Sequence, residues 1–335
     1  MDKTKNGITV AGSIIADMYY EIDTYPKQGF LTQVRTTSFN VGGTGNLILD
    51  LAKLDSDLNI KVCAIVGEDE KGSEIIKSLR NFPNIDTTGI TVKGESAVTM
   101  VMNADDTKQR TFFYIPGANN VFDESYINWE CIESKIFHLE YLLLMKKVDE
   151  QDGEFGTHAA KILYKAKKRG MITSVDMVSE QSKRVKSVVV PALKYTDICC
   201  INESEAEAIT DICITENDGL SAEKAREAVL KLQEMGVSRW IVIHAPKMSF
   251  GYDCVKDEFI CIESLKLPSG FIKGSTGAGD AYCSGILYGF YNDMPITKAM
   301  LLARSTAACS LSENNGTDGM RSCADVLELA AKYGS

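Results

Sequence analysis

From Lys135 onward the chain alternates short apolar, β-branched runs with helix-like segments, and this alternation restricts the fold more than any other feature of the sequence. Strand-like pieces at 135–139, 171–175, 197–201 and 239–244 interleave with helix-like pieces at 155–168, 183–190, 204–210 and 222–235. Parallel strands need a crossover between them, and helices as crossovers cover both faces of the sheet. The expected fold is therefore α/β, a sandwich around a mostly parallel central sheet. Ligands of such sheets bind beyond the carboxyl ends of the strands. His138-Leu139-Glu140, Val175-Asp176 and the run from Ile201 to Glu205 all stand at such ends.

The first third of the chain reads differently. Residues 7–15 and 60–66 look like buried strands. Residues 18–22 and 33–39 are β-like around a Pro26/Gly29 turn, and 96–103 and 109–114 alternate around Asp105-Asp106 as a hairpin. These two pairs, within about 16–40 and 96–115, are expected to form a small sheet lying off the main body of one continuous unit spanning 1–335. Between them, Asn40-Val41-Gly42-Gly43-Thr44-Gly45-Asn46 leads into a helical run at 47–54, and a further helix is expected from Glu68 to about Leu79. Gly42 and Gly43 let backbone approach a ligand, and Asn46 in the first turn can hydrogen-bond a hydroxyl; a plain strand-to-helix turn has the same appearance.

Near the C-terminus, Lys273-Gly274-Ser275-Thr276-Gly277-Ala278-Gly279-Asp280 follows a β-like stretch at 258–266 and opens a helix rich in small residues. The first amides of a helix lack intrahelical acceptors and the aligned peptide dipoles favour negative charge, so Gly277, Ala278 and Gly279 form an anion site of the kind that holds phosphate. Asp280, one residue further, is expected to be held ionised by the same dipole and to accept a proton. Amides for a phosphoryl group beside a base for a hydroxyl are two parts of phosphoryl transfer. A glycine turn with an acidic helix start fits the loop equally well. No G-x-x-x-x-G-K-[ST] sequence occurs, and G-x-G-x-x-G begun at Gly277 would need glycine where Tyr282 stands.

Asn202 and Glu205, three apart at a helix start, could organise magnesium, directly or through water; they also satisfy the pattern of a capping box. Glu140 and Asp176 read as site carboxylates or as a solvated strand end and a helix cap. His244, ending an apolar strand, reads as structural. The net charge of 36 − 46 = −10, without a basic block longer than 165–169, argues against nucleic-acid or anionic-membrane partners. No run reaches the length of a membrane span. The apolar stretch from Gly7 to Ala16 is short for a signal segment, and ten cysteines without a Cys-x-x-Cys read as reduced thiols of a cytoplasmic protein. His138, His158 and His244 lack ligand spacing, so no metal cage is expected.

Taken together these motifs resemble the ribokinase-like (PfkB) carbohydrate kinases over nearly the whole chain. Val41 to Asn46 with Leu51-Ala52-Lys53-Leu54 is similar to the family's double-glycine motif, and Val66 to Gly72 to its V-G-x-D-x-x-G segment. Asn202-Glu203-Ser204-Glu205 matches N-x-x-E, and Thr276 to Asp280 the C-terminal signature. The resemblance implies a three-layer α/β sandwich with a small β-sheet lid, and ATP- and magnesium-dependent phosphorylation of a sugar hydroxyl. It implies Asp280 as general base and the Gly277, Ala278 and Gly279 amides as anion hole. Asp17, Gly42, Gly43, Asn46 and Glu140 would bind the substrate. Asn202, Glu205, Ser275, Thr276, Gly277, Gly279 and Gly316 would serve the nucleotide, with Glu205 toward the metal and adenine near 303–316. It also implies a homodimer through the lid. Three departures stand out. Gly274-Ser275 replaces the usual Asp-Thr start, which leaves a monovalent-cation requirement open; the double-glycine motif is one residue short before Asn46; and His244-Ala245-Pro246 replaces a Thr-x-Gly turn. A nucleoside acceptor, with Ile15, Phe112, Phe113 or Tyr114 as a shelf, is an alternative. So is a sugar phosphate met by Arg35, Lys108 or Arg110, and so is a non-catalytic ligand-binding protein on the same scaffold.

Overall fold

The computed structural model describes residues 5–107, 109–180, 182–216 and 219–334, so Lys108 lies outside the described residues. The longer elements, in chain order, begin with β1 (Ile8–Gly12), β2 (Ile14–Ile22), β3 (Val34–Gly43), α1 (Thr44–Leu54), β4 (Ile60–Val66), α2 (Glu70–Arg80), β5 (Ile85–Val92), β6 (Val98–Ala104) and β7 (Arg110–Ile115). There follow β8 (Ile136–Leu142), α3 (His158–Lys168), β9 (Ile172–Met177), α4 (Val185–Leu193), β10 (Ile198–Asn202), α5 (Glu203–Thr210), α6 (Ala222–Glu234) and β11 (Trp240–His244). The chain finishes with β12 (Met248–Asp253), β13 (Glu258–Glu263), α7 (Ala278–Tyr291), α8 (Ile296–Ser310) and α9 (Cys323–Tyr333).

Nine strands form the main sheet in the order β13-β12-β11-β10-β9-β8-β1-β4-β5. The seven from β11 to β5 run parallel, and β12 and β13 close one edge antiparallel. Because strand side chains alternate between faces, each central strand serves two cores at once. On β10, Cys199 and Ile201 pack with the α3–α6 side, while Ile198 and Cys200 pack with α1, α7 and α8. The three layers expected from the βα alternation follow from that alternation of faces. Each fully buried Leu or Ile contributes about 1.5–3 kcal/mol to holding them together.

Two features depart from the sequence-based expectation. Residues 7–15 are not one strand: the chain leaves the main sheet at Gly12, and β2 belongs to a second, four-stranded sheet of order β3-β2-β6-β7. Gly12 has φ 141°, and a Cβ there would lie 1.5 Å from the Glu140 carbonyl oxygen, so only glycine allows the switch. The antiparallel strand β12, second from the edge, is not legible from alternation because it carries Gly251 at its middle, where an added Cβ would sit 2.2 Å from the Met300 sulfur.

The second sheet pairs β2 with β3 and β6 with β7 antiparallel, and β2 with β6 parallel. It lies where the two β-like pairs of the sequence are expected. On the opposite side of the cavity between the sheets, α7 crosses α8 at close range. A Cβ on Gly285 would meet the Ala303 Cα at 2.5 Å and one on Gly289 the Ala299 Cβ at 2.4 Å. That close crossing sets where α7 begins, and its beginning is the floor of the site.

Candidate active site

The loop before α7 ends at Gly277, which occupies the N-cap with φ 75° and carries no capping side chain. A Cβ there would strike Gly316 at 2.5 Å, so two glycines in contact let the loop fold over the helix start with its amides uncapped. Thr276, Gly277, Gly279 and Asp280 border a cavity of about 380 Å³. Ala278 and Ser275 do not border it; Ser275 lines the adjoining cleft with Gly274. Gly316 is packed against Gly277 and Asn46, and Ala303 is buried against Gly285, so neither faces open space.

Asp280 is 7 % exposed. The Asn46 amide donates to its Oδ2 at 2.8 Å and the Tyr141 hydroxyl donates to its Oδ1. Burial pushes this carboxyl above the ordinary range, against the lowering effect of those two bonds. Asp280 is therefore not held in the ordinary range, as its place in the first turn of a helix suggested: burial makes it a stronger base than an exposed aspartate. Tyr141 was not anticipated. It directly follows the strand-end Glu140, but nothing in local patterning says that a tyrosine there reaches a helix start 139 residues away.

At one end of the cavity stand Asp17, Gly43 and Asn46. Gly42 does not line it; it packs behind Asp17, whose carboxylate would be 2.0 Å from an added Cβ. Burial raises Asp17 to about 7, with a hydrogen bond to Thr99 on β6 opposing and Asp280 adding repulsion. Ile15, Phe112 and Tyr114 line the same end, while Phe113 points outward, as strand alternation on β7 requires. Arg35 is paired with Asp23 and Asp105 and does not line the cavity. Glu140 is fully buried beneath the site, held by His138 Nε2 at 2.7 Å, and does not line the cavity either. Burial raises its carboxyl, with Asp280 and Asp50 nearby, and lowers His138 to about 3.

At the other end stand Asn202, Glu205, Asp176, Ser179 and His244. Asn202 and Glu205 form a capping box, with the Glu205 amide donating to Asn202 Oδ1 and the Asn202 amide to Glu205 Oε2, both at 2.9 Å. The box and a place on the cavity wall are not alternatives here. Burial raises Glu205 to about 7, and Asp176 is raised by burial and by Glu205 beside it. Glu140 is fully buried and so is no solvated strand end, and Asp176, 5 % exposed, does not cap the next helix, whose N-cap is Arg184. His244 is pushed down to about 4 by burial and stacks on Tyr282 at 5.2 Å, so it is neutral and also touches the site. Beyond it, Pro246, Lys247, Leu265 and Lys266 border a second cleft of about 580 Å³. Among the described residues no group of three or more His, Cys, Asp or Glu side chains could hold a metal. No helix there is long and apolar enough to cross a membrane.

A family model described as "pfkB family carbohydrate kinase" matches residues 5–323. The chain is 22% identical over 312 residues to the 5-dehydro-2-deoxygluconokinase of Geobacillus kaustophilus, spanning 89% of this chain and 86% of that protein. Its fold is similar to that of the Thermotoga maritima ribokinase, with a TM-score of 0.78 at 19% identity over 97% of this chain and 99% of that one. It is also similar to the Arabidopsis thaliana ribokinase complexed with ribose and ATP, with a TM-score of 0.77 at 20% identity over 97% and 98% of the two chains.

Proposed function

Because the chain belongs to the pfkB family of carbohydrate kinases, which are phosphotransferases, we propose that it transfers the γ-phosphoryl group of ATP to a hydroxyl of a small carbohydrate. The observation that carries this reading is the meeting of three parts in one cavity. Asp280 is a buried base, Gly277 and Gly279 stand at an uncapped helix start, and Glu205 with Asn202 forms the opposite wall. Asp280 takes the proton of the attacking hydroxyl. The α7 amides receive the negative charge that builds on the transferring group, and positioning supplies most of the rate. Asp17 and Asn46 orient the other hydroxyls of the acceptor.

The nucleotide lies with its phosphates along Asn202 and Thr276 and its base in the cleft of Pro246 and Leu265, where Lys247 and Lys266 offer positive charge. Magnesium fits the Glu205 end. Two carboxylates whose charged forms are disfavoured by burial and mutual repulsion gain from a divalent cation. An ion held there by two carboxylates would keep water and phosphate ligands. When bound, it neutralises phosphate oxygens. A nucleoside acceptor is the second reading, favoured by the Ile15, Phe112 and Tyr114 wall. Phe113 and Ile115, exposed on the outer face of the second sheet, are where a second copy of the chain would pair.

The test is an ADP-release screen with magnesium and ATP against pentoses, hexoses, sugar acids, sugar phosphates and nucleosides, with Asp280→Asn alongside. The expected result is release with one class of acceptor, reduced about 10²–10⁴-fold in the variant with ATP binding retained. Equal turnover by the variant would remove Asp280 from its role.

A further inference from the structure

Gly274 and Arg110, far apart in sequence, occupy one place. Arg110 opens β7 on the second sheet, and its guanidinium crosses to the phosphate loop of the main body. There Nη1 donates to the Thr276 hydroxyl oxygen and Nη2 donates to the Asn314 carbonyl at 2.8 Å. A Cβ on residue 274 would lie 2.2 Å from Arg110 Nη2. Glycine at that position makes room for the guanidinium, which would have to shift if a side chain stood there.

The partners of Arg110 among the described residues are a hydroxyl and a carbonyl, both neutral. Lys273, the other cation on the same loop, is paired with Glu313 at 3.0 Å. Arg110 thus has no ion-pair partner among the described residues, with Glu21 and Asp105 bordering the same small cavity, and it reaches the loop one residue from the anion site at Gly277. The cavity wall itself carries Asp17, Asp176, Glu205 and Asp280 but no Arg or Lys among the described residues. A phosphoryl group entering between those carboxylates needs a fixed cation, and Arg110 is placed to supply it through Thr276. Because the Thr276 oxygen accepts from Arg110, its own O–H remains free to donate to an oxyanion.

Resting on the phosphoryl-transfer reading above, we propose that Arg110 is a positioning residue that acts as a built-in cation. It ties the 274–276 loop to the 314 turn, orders the anion site, and makes activity independent of added monovalent cations. A hydroxyl and a carbonyl oxygen bridging two loops are ligands that potassium or sodium would otherwise take, and the guanidinium fills that place. The second sheet thereby contributes to the phosphate site as well as to the acceptor end.

The experiment uses the full chain, with D-ribose and D-fructose as probe acceptors and tetramethylammonium as the only monovalent cation, with and without potassium chloride. Wild type is expected to be indifferent to potassium. Arg110→Ala should keep its melting temperature yet lose at least about 10²-fold in kcat, the scale on which a lost charge-stabilising donor is felt. It should recover in part with guanidinium chloride far below denaturing concentration. Gly274→Ala should lose activity similarly but resist rescue, because its Cβ occupies the place of the added cation. Potassium-dependent wild type, an unimpaired Arg110→Ala, or an impaired Arg110→Ala that guanidinium leaves unchanged would each overturn the proposal. If wild type releases no ADP with either probe, calorimetric affinity for magnesium-ATP decides. Weaker binding in Arg110→Ala, restored by guanidinium, supports the role of Arg110 even where the acceptor reading fails. Equal binding overturns it.

Discussion

Asp280 is held by two donors of different origin. Asn46 comes from α1 and lies in a motif that the sequence displays, whereas Tyr141 comes from the end of β8 and was hidden. The Tyr141 bond stabilises the charged carboxylate, so removing it in Tyr141→Phe should raise the Asp280 pKa further. The acid limb of the kcat/KM profile should then move to higher pH; a profile identical to wild type would mean the phenol only fills space. Glu205→Gln belongs to the same scale. Glutamine keeps an oxygen that can accept from the Asn202 amide and so preserves the capping box, but it removes the charge. The magnesium concentration for half-maximal rate should rise with little loss at saturation, and an unchanged titration would leave Glu205 as a cap alone.

The element that most controls the geometry is α7. Its small residues at Gly285 and Gly289 are what permit contact with α8, and this contact sets the position of Asp280, about one and a half turns before Gly285 and two and a half before Gly289. Gly285→Val should force the two helices apart, costing about 1–3 kcal/mol by overpacking. Denaturant unfolding would read the loss directly. Activity should fall more than stability alone explains if Asp280 is the base proposed above, because it moves with the helix. A variant of normal stability and rate would show that the crossing tolerates a side chain.

For the whole molecule, the cavity gathers acidic groups that folding removes from water, and stability should record it. Asp17 has an ordinary value of 3.8 in the unfolded chain and about 7 when folded. Between these values the unfolded chain has released a proton that the folded chain keeps, so the unfolded state binds fewer protons and stability falls as pH rises. The slope for one such group is up to about 1.4 kcal/mol per pH unit. In Asp17→Asn that slope is absent, so the advantage of the variant over wild type in urea unfolding should grow from pH 4 to pH 7. Parallel curves would place Asp17 in contact with water.

The parts of this protein that local chemistry specifies were legible from the start. The βα alternation from residue 135 led to a parallel sheet because strand and helix periods are local. The glycine loop pointed to a helix start with uncapped amides because glycine freedom and helix-terminal geometry are local too. The capping box at Asn202 was visible for the same reason. What the sequence alone left undecided are contacts between distant segments. Tyr141 on Asp280, Gly12 turning the chain from one sheet to the other, and Arg110 lying over Gly274 depend on side chains that meet only after packing. So does the rise of Asp280 above the ordinary range, since desolvation is a property of everything around a carboxylate and not of the residues beside it in the chain.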